Sequence, residues 1–187
     1  MSKINSKKKG NRSELKIAKL LSDKIGGIFS RVPTSGAFGS THVLTDHAKL
    51  CLCGDIIACS PSFLFSIENK SGYNIEINNL FKEENSTDKT LIKLFCEQAL
   101  NDALNSNKIP MVIYSKDRRP PLCIIPRYIK EKERDLNLLL FCKLEVFMQI
   151  NIKITVNDTT IREWIVFSLD ELLDKAPKSF FFKDIPS

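Results

Sequence analysis

The protein has 187 residues, of which 43% are hydrophobic and 27% charged, and its formal net charge is +6. This length and composition predict one domain with a sizeable core. No apolar stretch approaches the roughly 18 residues that a membrane span needs, and the basic N-terminus lacks the apolar segment of a secretory signal. We therefore expect a cytoplasmic protein with no membrane partner and with free cysteines rather than disulfides.

Positive charge is concentrated at the N-terminus. Residues 1–31 contain nine basic and two acidic residues, a net charge of +7, whereas the other 156 residues together carry −1. This asymmetry predicts a polyanionic partner for the N-terminal face, although a solvated tail explains Lys7, Lys8 and Lys9 equally well. A second basic stretch is interleaved with acids, and we interpret it as a solvated surface: Lys116, Arg118, Arg119, Arg127, Lys130, Lys132 and Arg134.

The first elements in chain order are a tail, a helix and a short strand. Residues 1–9 have the composition of a flexible basic tail. Ser13 is a favoured residue for capping a helix that runs to about Lys24 and ends at two glycines. Its predicted apolar stripe contains Leu15, Ala18, Leu21 and Ile25. A strand over 28–32 and a long loop over 33–50 follow, and loops of that length are usually functional or disordered.

The next segment predicts a β-hairpin that carries charged residues. Asp55 lies in an apolar run, a Ser-Pro-Ser turn follows, and residues 63–70 have the pattern of a strand. Successive side chains on a strand point to opposite faces. Glu68 and Lys70 therefore share one face, and pairing of the two strands brings Asp55 near them.

The rest of the chain predicts a mixed sheet flanked by helices, which is an α/β fold. Residues 91–104 have the pattern of an amphipathic helix, and 111–114 and 122–125 that of two antiparallel strands. Residues 138–147 are ambiguous between helix and strand. A strand over 149–156, a strand over 163–167 and a helix over 169–175 capped by Ser168 complete the prediction.

The hairpin carries the residue types that metal-dependent phosphodiester hydrolysis needs. Mg²⁺ prefers hard oxygen ligands and keeps several waters, so two carboxylates suit it. A bound metal polarises the phosphoryl group and lowers the pKa of a water. A lysine beside them can orient that water or neutralise developing charge. The alternative is a solvated strand face, but Asp55 within an apolar run argues against it, because a buried charge is costly unless it is paired or metal-bound.

A zinc site is an alternative metal centre in this part of the sequence. His42, His47, Cys51 and Cys53 are residue types that ligate zinc. Their spacing matches no strong zinc pattern, and free cysteine also serves as a small buried hydrophobe. We therefore favour the carboxylate site.

The ordered set of motifs resembles the PD-(D/E)xK nuclease superfamily, and within it the archaeal-type Holliday junction resolvases and related phage nucleases. Four stretches carry the resemblance, over about residues 7–72: Lys9-Gly10-Asn11-Arg12-Ser13-Glu14-Leu15, Ser30-Arg31-Val32-Pro33-Thr34-Ser35-Gly36-Ala37-Phe38-Gly39, Gly54-Asp55-Ile56-Ile57 and Phe65-Ser66-Ile67-Glu68-Asn69-Lys70. Two residues depart from the family pattern, because Gly54 replaces the nominal proline and Asn69 replaces an apolar residue or cysteine. The resemblance implies a restriction-endonuclease-like core at about 10–128, with a C-terminal extension at about 129–187 in the same nuclease domain.

The resemblance also implies residue roles. Asp55 and Glu68 match ligands of Mg²⁺, for which Mn²⁺ can substitute. Lys70 matches the catalytic lysine, and Glu14 matches a helical acid that reaches the metal directly or through water. Glu14 could instead be a surface acid favoured by the helix dipole. The residues matched to DNA contacts join the basic N-terminal residues as a predicted DNA-binding set: Lys7, Lys8, Lys9, Arg12, Arg31, Ser35, Gly36 and Gln98.

Four functions are compatible with the sequence. The first is a homodimeric Mg²⁺-dependent endonuclease of branched DNA, since a two-fold assembly supplies paired sites for symmetric cuts. The second is a phage nuclease that cuts linear or host DNA. The third is an inactive DNA-binding protein of the same fold, and the fourth is an RNA-binding protein whose basic N-terminus gives salt-sensitive binding.

Overall fold

The computed structural model describes residues 6–32, 53–76, 87–116, 118–127 and 148–183. Within these ranges the chain forms one seven-stranded sheet with helices on both faces. The predicted α/β class, with a mixed sheet and flanking helices, is confirmed. The elements in chain order are α1 (Ser6–Ile25), β1 (Phe29–Arg31), β2 (Ile56–Ala58), β3 (Phe65–Ser71), α2 (Thr87–Asn105), β4 (Ile109–Ser115), β5 (Leu122–Pro126), β6 (Met148–Val156), β7 (Thr159–Ser168), α3 (Leu169–Lys175) and α4 (Lys178–Phe181).

The sheet has the strand order β1-β2-β3-β4-β5-β7-β6. Only β3 and β4 are parallel neighbours, with Ile67 opposite Met111, and all other neighbours run antiparallel. Helix α2 lies between β3 and β4 in sequence, as a connection between parallel strands requires. The predicted pairings of β2 with β3 and of β4 with β5 are both confirmed.

Helix α1 packs on the first face of the sheet. Its buried residues Ile17, Ala18, Leu21 and Ile25 recur at helical spacing and contact the odd-numbered side chains of β3 and β4. The prediction that Leu15 belongs to this stripe is wrong, since Leu15 is 60% exposed. The position one turn before Ala18 that does face inward is occupied by an acid, which is described with the site below.

The start of α1 differs from the sequence prediction. The helix begins at Ser6, so the prediction that Ser13 caps it is wrong, and residues 6–9 of the expected tail are helical in backbone. Residues 1–5 lie outside the described ranges. Ser13 sits in the second turn, where it accepts a side-chain hydrogen bond that is described below. The helix extends through Gly10 and Asn11 despite their low helix propensity, so local preference did not decide where it begins.

Helix α2 covers the second face. Ile92, Phe95, Ala99 and Ala103 are buried as predicted, because they recur at helical spacing along one side of the helix. They face a core formed mainly by even-numbered side chains of the sheet, among them the fully buried Trp164. The strand β6 also contributes, with alternating buried and exposed residues as predicted.

The C-terminal residues complete the same sheet and core. Strand β7 pairs with β5 along five residues, and Ser168 caps α3 as predicted, accepting a hydrogen bond from the backbone N–H of Glu171. The short helix α4 was not predicted. It buries Phe180 and Phe181 against Phe65 of β3, at ring-centroid distances of 5.3 and 6.3 Å. The division into core and extension remains a prediction, as do the segments 33–50 and 138–147, which lie outside the described residues.

Gly54, just before β2, allows the backbone to approach β3 closely. Gly54 has a φ of +92°, and a Cβ there would lie 2.6 Å from the carbonyl oxygen of Ile67. The backbone N–H of Asp55 donates to that same oxygen at 2.7 Å, and the N–H of Val32 donates to the Asp55 carbonyl at 3.0 Å. Gly54 is therefore required by both backbone conformation and space, and it fixes where Asp55 stands.

Replacing Gly54 by alanine tests this close approach. Gly27 serves as a matched control, because its φ of +87° is similar but the nearest atom to an added Cβ is 4.0 Å away. We expect Gly27→Ala to cost about 1–2 kcal/mol of unfolding free energy from backbone strain alone. Gly54→Ala should cost about 1–3 kcal/mol more, because an overpacked contact is added. Chemical denaturation measures both, and equal losses would contradict the steric account.

Candidate active site

Four charged residues from three segments converge at one edge of β3. Asp55 immediately precedes β2, Glu68 and Lys70 lie on β3, and Glu14 projects from α1 into the inward position noted above. The relative exposures of Glu14, Asp55 and Glu68 are only 7%, 7% and 2%. The alternative of a solvated polar strand face is therefore wrong for Glu68, and the predicted proximity of Asp55 to β3 is confirmed by a 2.9 Å hydrogen bond from the backbone N–H of Asn69 to Asp55 Oδ2.

Glu68 has the most perturbed carboxyl group of the cluster. Burial raises its pKa to about 8, and the negative charge of Asp55 acts in the same direction, while Lys70 acts in the opposite direction. These are the two general causes of a raised carboxyl pKa, desolvation and a like charge nearby. A carboxyl group in this environment favours either a proton or a cation beside it.

Lys70 is held by three different contacts. Its ammonium forms an ion pair with Glu68 Oε1 and donates a 2.9 Å hydrogen bond to Gln98 Oε1 on α2. The same nitrogen lies 5.5 Å from the ring centroid of Phe95, within the range of a cation–π interaction. Gln98 therefore contacts the predicted catalytic lysine, rather than being only a solvated helix residue. Its predicted contact with DNA remains a prediction.

Glu14 is paired with Arg31 from the end of β1. The Arg31 Nε donates to Glu14 Oε2, and both side chains are largely buried. Burial raises the pKa of Glu14 and the Asp55 charge adds to that effect, whereas the Arg31 hydrogen bond lowers it. Glu14 is thus not a surface acid of the first helical turn. In this structure Arg31, predicted to contact DNA, orients the helical acid.

Asn69 links the cluster to α1. It is 6% exposed, and its side-chain amide donates a 3.1 Å hydrogen bond to the hydroxyl of Ser13. Asn69 stands where the family pattern has an apolar residue or cysteine. Its backbone N–H binds Asp55 and its side chain binds Ser13, so it ties the helix carrying Glu14 to the strand carrying Glu68.

Sequence reasoning missed one acidic residue near the site. Asp102 lies four residues after Gln98 on α2, so both are on one side of that helix. Burial raises the pKa of Asp102, and the charge of Asp55 raises it further while Lys70 lowers it. The available signal was the i,i+4 spacing of Gln98 and Asp102 beside the buried face of the helix.

The other predicted DNA-binding residues are placed only in part. Arg12 is exposed on α1, two residues before Glu14. Lys7, Lys8 and Lys9 lie in the first turns of that helix, and their side chains are outside what the structure describes. Ser35 and Gly36 lie outside the described residues altogether, as do three members of the alternative zinc set, His42, His47 and Cys51.

The comparisons with known proteins agree with this geometry. Residues 5–183 match the family model described as "Phage putative PDDEXK endonuclease". The chain belongs to this phage PD-(D/E)xK endonuclease family. It is also similar to Protein D14 of Escherichia phage T5, with 30% identity over 120 residues, which are 62% of this chain and 67% of that protein. No solved structure matches the chain.

Membership of this family implies phosphodiester hydrolysis with DNA as the substrate, and PD-(D/E)xK enzymes typically depend on a divalent metal. Within the described ranges, no three His, Cys, Asp or Glu side chains form a ready metal-binding group, and no helix there has the length and apolarity to span a membrane. Mg²⁺ sites commonly use one or two carboxylates, with substrate phosphate and water as the other ligands. The adjacent, mutually repelling Asp55 and Glu68 fit that donor set.

Glu68 should make the stability of the metal-free protein depend on pH. Its pKa is about 8 in the folded state against an ordinary value of 4.5, so its stabilising contribution is complete below about pH 4.5 and is lost as pH rises towards 8. The glutamine of Glu68→Gln stays neutral at every pH, so this variant does not lose stability as pH rises from 4.5 to about 8. The wild type should therefore become less stable than the variant by several kcal/mol across this window, since each pKa unit is worth about 1.4 kcal/mol.

Urea denaturation in EDTA at several pH values measures this difference. Glu97→Gln is a matched control, because the Glu97 side chain is on α2 but 37% exposed, and this variant should keep the wild-type pH profile. A Glu68→Gln profile parallel to that of the wild type would show that Glu68 is ionised at neutral pH in the folded protein.

Proposed function

We propose that this protein is a divalent metal-dependent DNA endonuclease that cuts branched DNA, in the manner of a Holliday junction resolvase. The observation that carries the nuclease assignment is the buried pair of Asp55 and Glu68 with Lys70 in contact with Glu68. The preference for branched DNA rests on the resemblance of residues 7–72 to the archaeal-type resolvases. The family match supports an endonuclease of phage type.

In this proposal Asp55 and Glu68 hold Mg²⁺, or Mn²⁺ in its place. The bound ion would polarise the scissile phosphate and lower the pKa of a water. Asp55 is suited to this role because its backbone is fixed between Val32 and Ile67, so its carboxylate needs little reorganisation. Glu68 is suited because desolvation strengthens its interaction with a cation.

Lys70 acts as the catalytic lysine in this proposal. Glu68, Gln98 and the Phe95 ring restrict its ammonium to one place beside the carboxylates. An ammonium fixed there can orient the attacking water or stabilise charge that develops on the phosphate. Glu14, held by Arg31, supplies a further acid that reaches the metal directly or through a water.

Two of the DNA-binding residues of the proposal contact this cluster, since Gln98 contacts Lys70 and Arg31 contacts Glu14. Arg12 is exposed on α1, two residues before Glu14. Lys7, Lys8 and Lys9 add positive charge to the first turns of the same helix, and Ser35 with Gly36 follows Arg31 in the chain. Symmetric cleavage of a junction requires two such sites, so we propose that the enzyme acts as a homodimer.

Cleavage of a labelled four-way junction and a sequence-matched linear duplex tests the proposal, with Mg²⁺, Mn²⁺ or EDTA. We expect paired symmetric cuts in the junction that EDTA abolishes. Asp55→Asn, Glu68→Gln and Lys70→Met should each lower the rate at least about 100-fold, as is usual for losing a group that acts in the transition state. Thermal unfolding checks that each variant is folded.

Asp158→Asn is the matched control for the loss of one carboxylate. Asp158 is exposed in the turn between β6 and β7, three strands away from β3 in the sheet. The Asp158→Asn variant should therefore cleave DNA at the wild-type rate. Equal cutting of junction and duplex would retain the nuclease and refute the preference for branched DNA. Metal-independent cutting, or unchanged rates in the Asp55 and Glu68 variants, would refute the proposed site.

A further inference from the structure

A basic groove lies between α1 and the turn that joins β4 to β5. It has a volume of about 1080 Å³, and Ser13, Ile17, Leu20 and Ser71 lie among its lining residues. Five cationic residues and one acid also line it: Arg12, Lys16, Lys116, Arg118, Arg119 and Asp170. The sequence predicted that 116–119 belong to a solvated surface of mixed charge. Arg118 and Arg119 are exposed, in agreement with that prediction. The fold also brings them and Lys116 to the same groove as the basic residues of α1.

The charge of this groove is poorly balanced within the described part of the chain. Lys116 forms an ion pair with Glu76, and Asp170 is the one acid among the lining residues. Arg12 and Lys16 lie four residues apart on one side of α1, and Arg118 and Arg119 are exposed. Asp117 lies outside the described residues. Lys116 lowers the pKa of Glu76 most, and the charge of Arg119 also lowers it. Cations still outnumber acids among the described lining residues, and such an excess creates a potential that attracts a polyanion.

The groove is connected to the catalytic cluster by direct contacts. Ser13 lines the groove and accepts the hydrogen bond from Asn69, whose backbone N–H binds the carboxylate of Asp55. Ser71, also a lining residue, directly follows Lys70 on β3, with its side chain on the opposite face of the strand. A ligand in the groove therefore lies against the two elements that carry Glu14, Glu68 and Lys70.

Arg118 and Arg119 lie on the other side of the groove. The backbone N–H of Arg119 donates to the Lys116 carbonyl at 3.1 Å, and Arg118 adopts a φ of 63°. Pro120 and Pro121 follow, and each proline ring restricts the backbone before β5. These restraints beside Arg119 reduce the entropy that is lost when it binds a ligand.

We propose that this groove binds the phosphodiester backbone of a DNA strand next to the strand being cut, with Lys16 and Arg119 as principal phosphate contacts. The inference rests on the proposed function for the identity of the ligand. It adds a second binding track that the family match does not assign. The shape of the site suits a linear polyanion, because its cations come from two separate elements along an open groove rather than from one closed pocket.

Salt-dependent DNA binding tests the groove. The variant Lys16→Ala/Arg119→Ala removes two positive charges from its two sides, and Lys19→Ala/Arg162→Ala removes two charges elsewhere. Lys19 is exposed on the same helix and Arg162 is exposed on β7, and neither lines the groove. Binding of a labelled junction and a labelled duplex is measured by fluorescence anisotropy in EDTA, across a range of salt concentrations, so that cleavage does not interfere.

We expect the groove variant to bind about tenfold more weakly than the wild type at moderate salt. The slope of log K against log salt should fall in magnitude by about 1.8, because each lost phosphate contact contributes about 0.9 with duplex DNA. The control variant, which has the same net charge, should keep the wild-type slope and affinity. The charge-conserving variant Lys16→Arg/Arg119→Lys should recover most of the binding.

The outcomes separate the groove from the catalytic proposal. If the groove and control variants lose DNA affinity equally, the groove proposal is wrong. It is also wrong if the groove variant binds DNA as tightly as the wild type, even when the wild type cuts DNA with Mg²⁺. A groove variant that alone loses affinity, in a protein that binds DNA without cutting it, would support the groove and refute the nuclease proposal. Thermal unfolding of the four proteins shows whether a loss reflects misfolding, and a destabilised alanine variant is replaced by Lys16→Gln/Arg119→Gln.

Discussion

The carboxylates of Asp55 and Glu68 are both buried and repel each other electrostatically. The surrounding structure has to compensate for the cost of that repulsion. Glu68 is almost completely buried and feels both desolvation and the charge of Asp55. Such a pair is unfavourable unless a proton, a counter-charge or a metal ion accompanies it. Lys70 supplies one counter-charge within the protein. Metal-dependent hydrolysis in the PD-(D/E)xK family gives a reason for keeping two buried carboxylates despite their unfavourable energy.

The scaffold brings this pair together through a small number of backbone contacts. Gly54 lets the chain approach Ile67 closely enough for Asp55 to hydrogen-bond β3, and Asn69 ties β3 to the helix that carries Glu14. From the opposite face, α2 holds Lys70 through Gln98 and Phe95. The chain before β2, helix α1 and helix α2 therefore each contribute one restraint, and together they hold the charged residues in a defined arrangement around β3.

Much of the core architecture was predictable because its signals are periodic and local. Hydrophobic alternation identified β6, helical spacing identified α2, and the turn residues between Asp55 and Glu68 identified the hairpin. The start of α1 and the exposure of Leu15 were missed, since capping preference and apolarity are weak where tertiary contacts decide. One turn before Ala18 on α1, the residue that faces inward is Glu14. Hydrophobic periodicity alone predicts an acid at this position to lie on the surface.

The parts that could not be predicted depend on contacts between distant segments. No local pattern reveals that Arg31 pairs with Glu14, that Asp102 approaches the site, or that the 116–119 turn lies beside Arg12 and Lys16. These relations follow from the strand order, which the sequence does not specify. The resemblance to a nuclease superfamily supplied the roles proposed for Asp55, Glu68 and Lys70, whereas burial and hydrogen bonding show how these side chains are held.

Helix α4 and the residues after it pack against the segment that precedes β3. Residues 181 and 183 hydrogen-bond to residues 64 and 62, and Phe180 and Phe181 cover Phe65 on β3. Closing a loop over so large a sequence separation costs entropy, so we expect these contacts to form late in folding. A chain without residues near 183 lacks the aromatic cover of β3, the strand that carries Glu68 and Lys70.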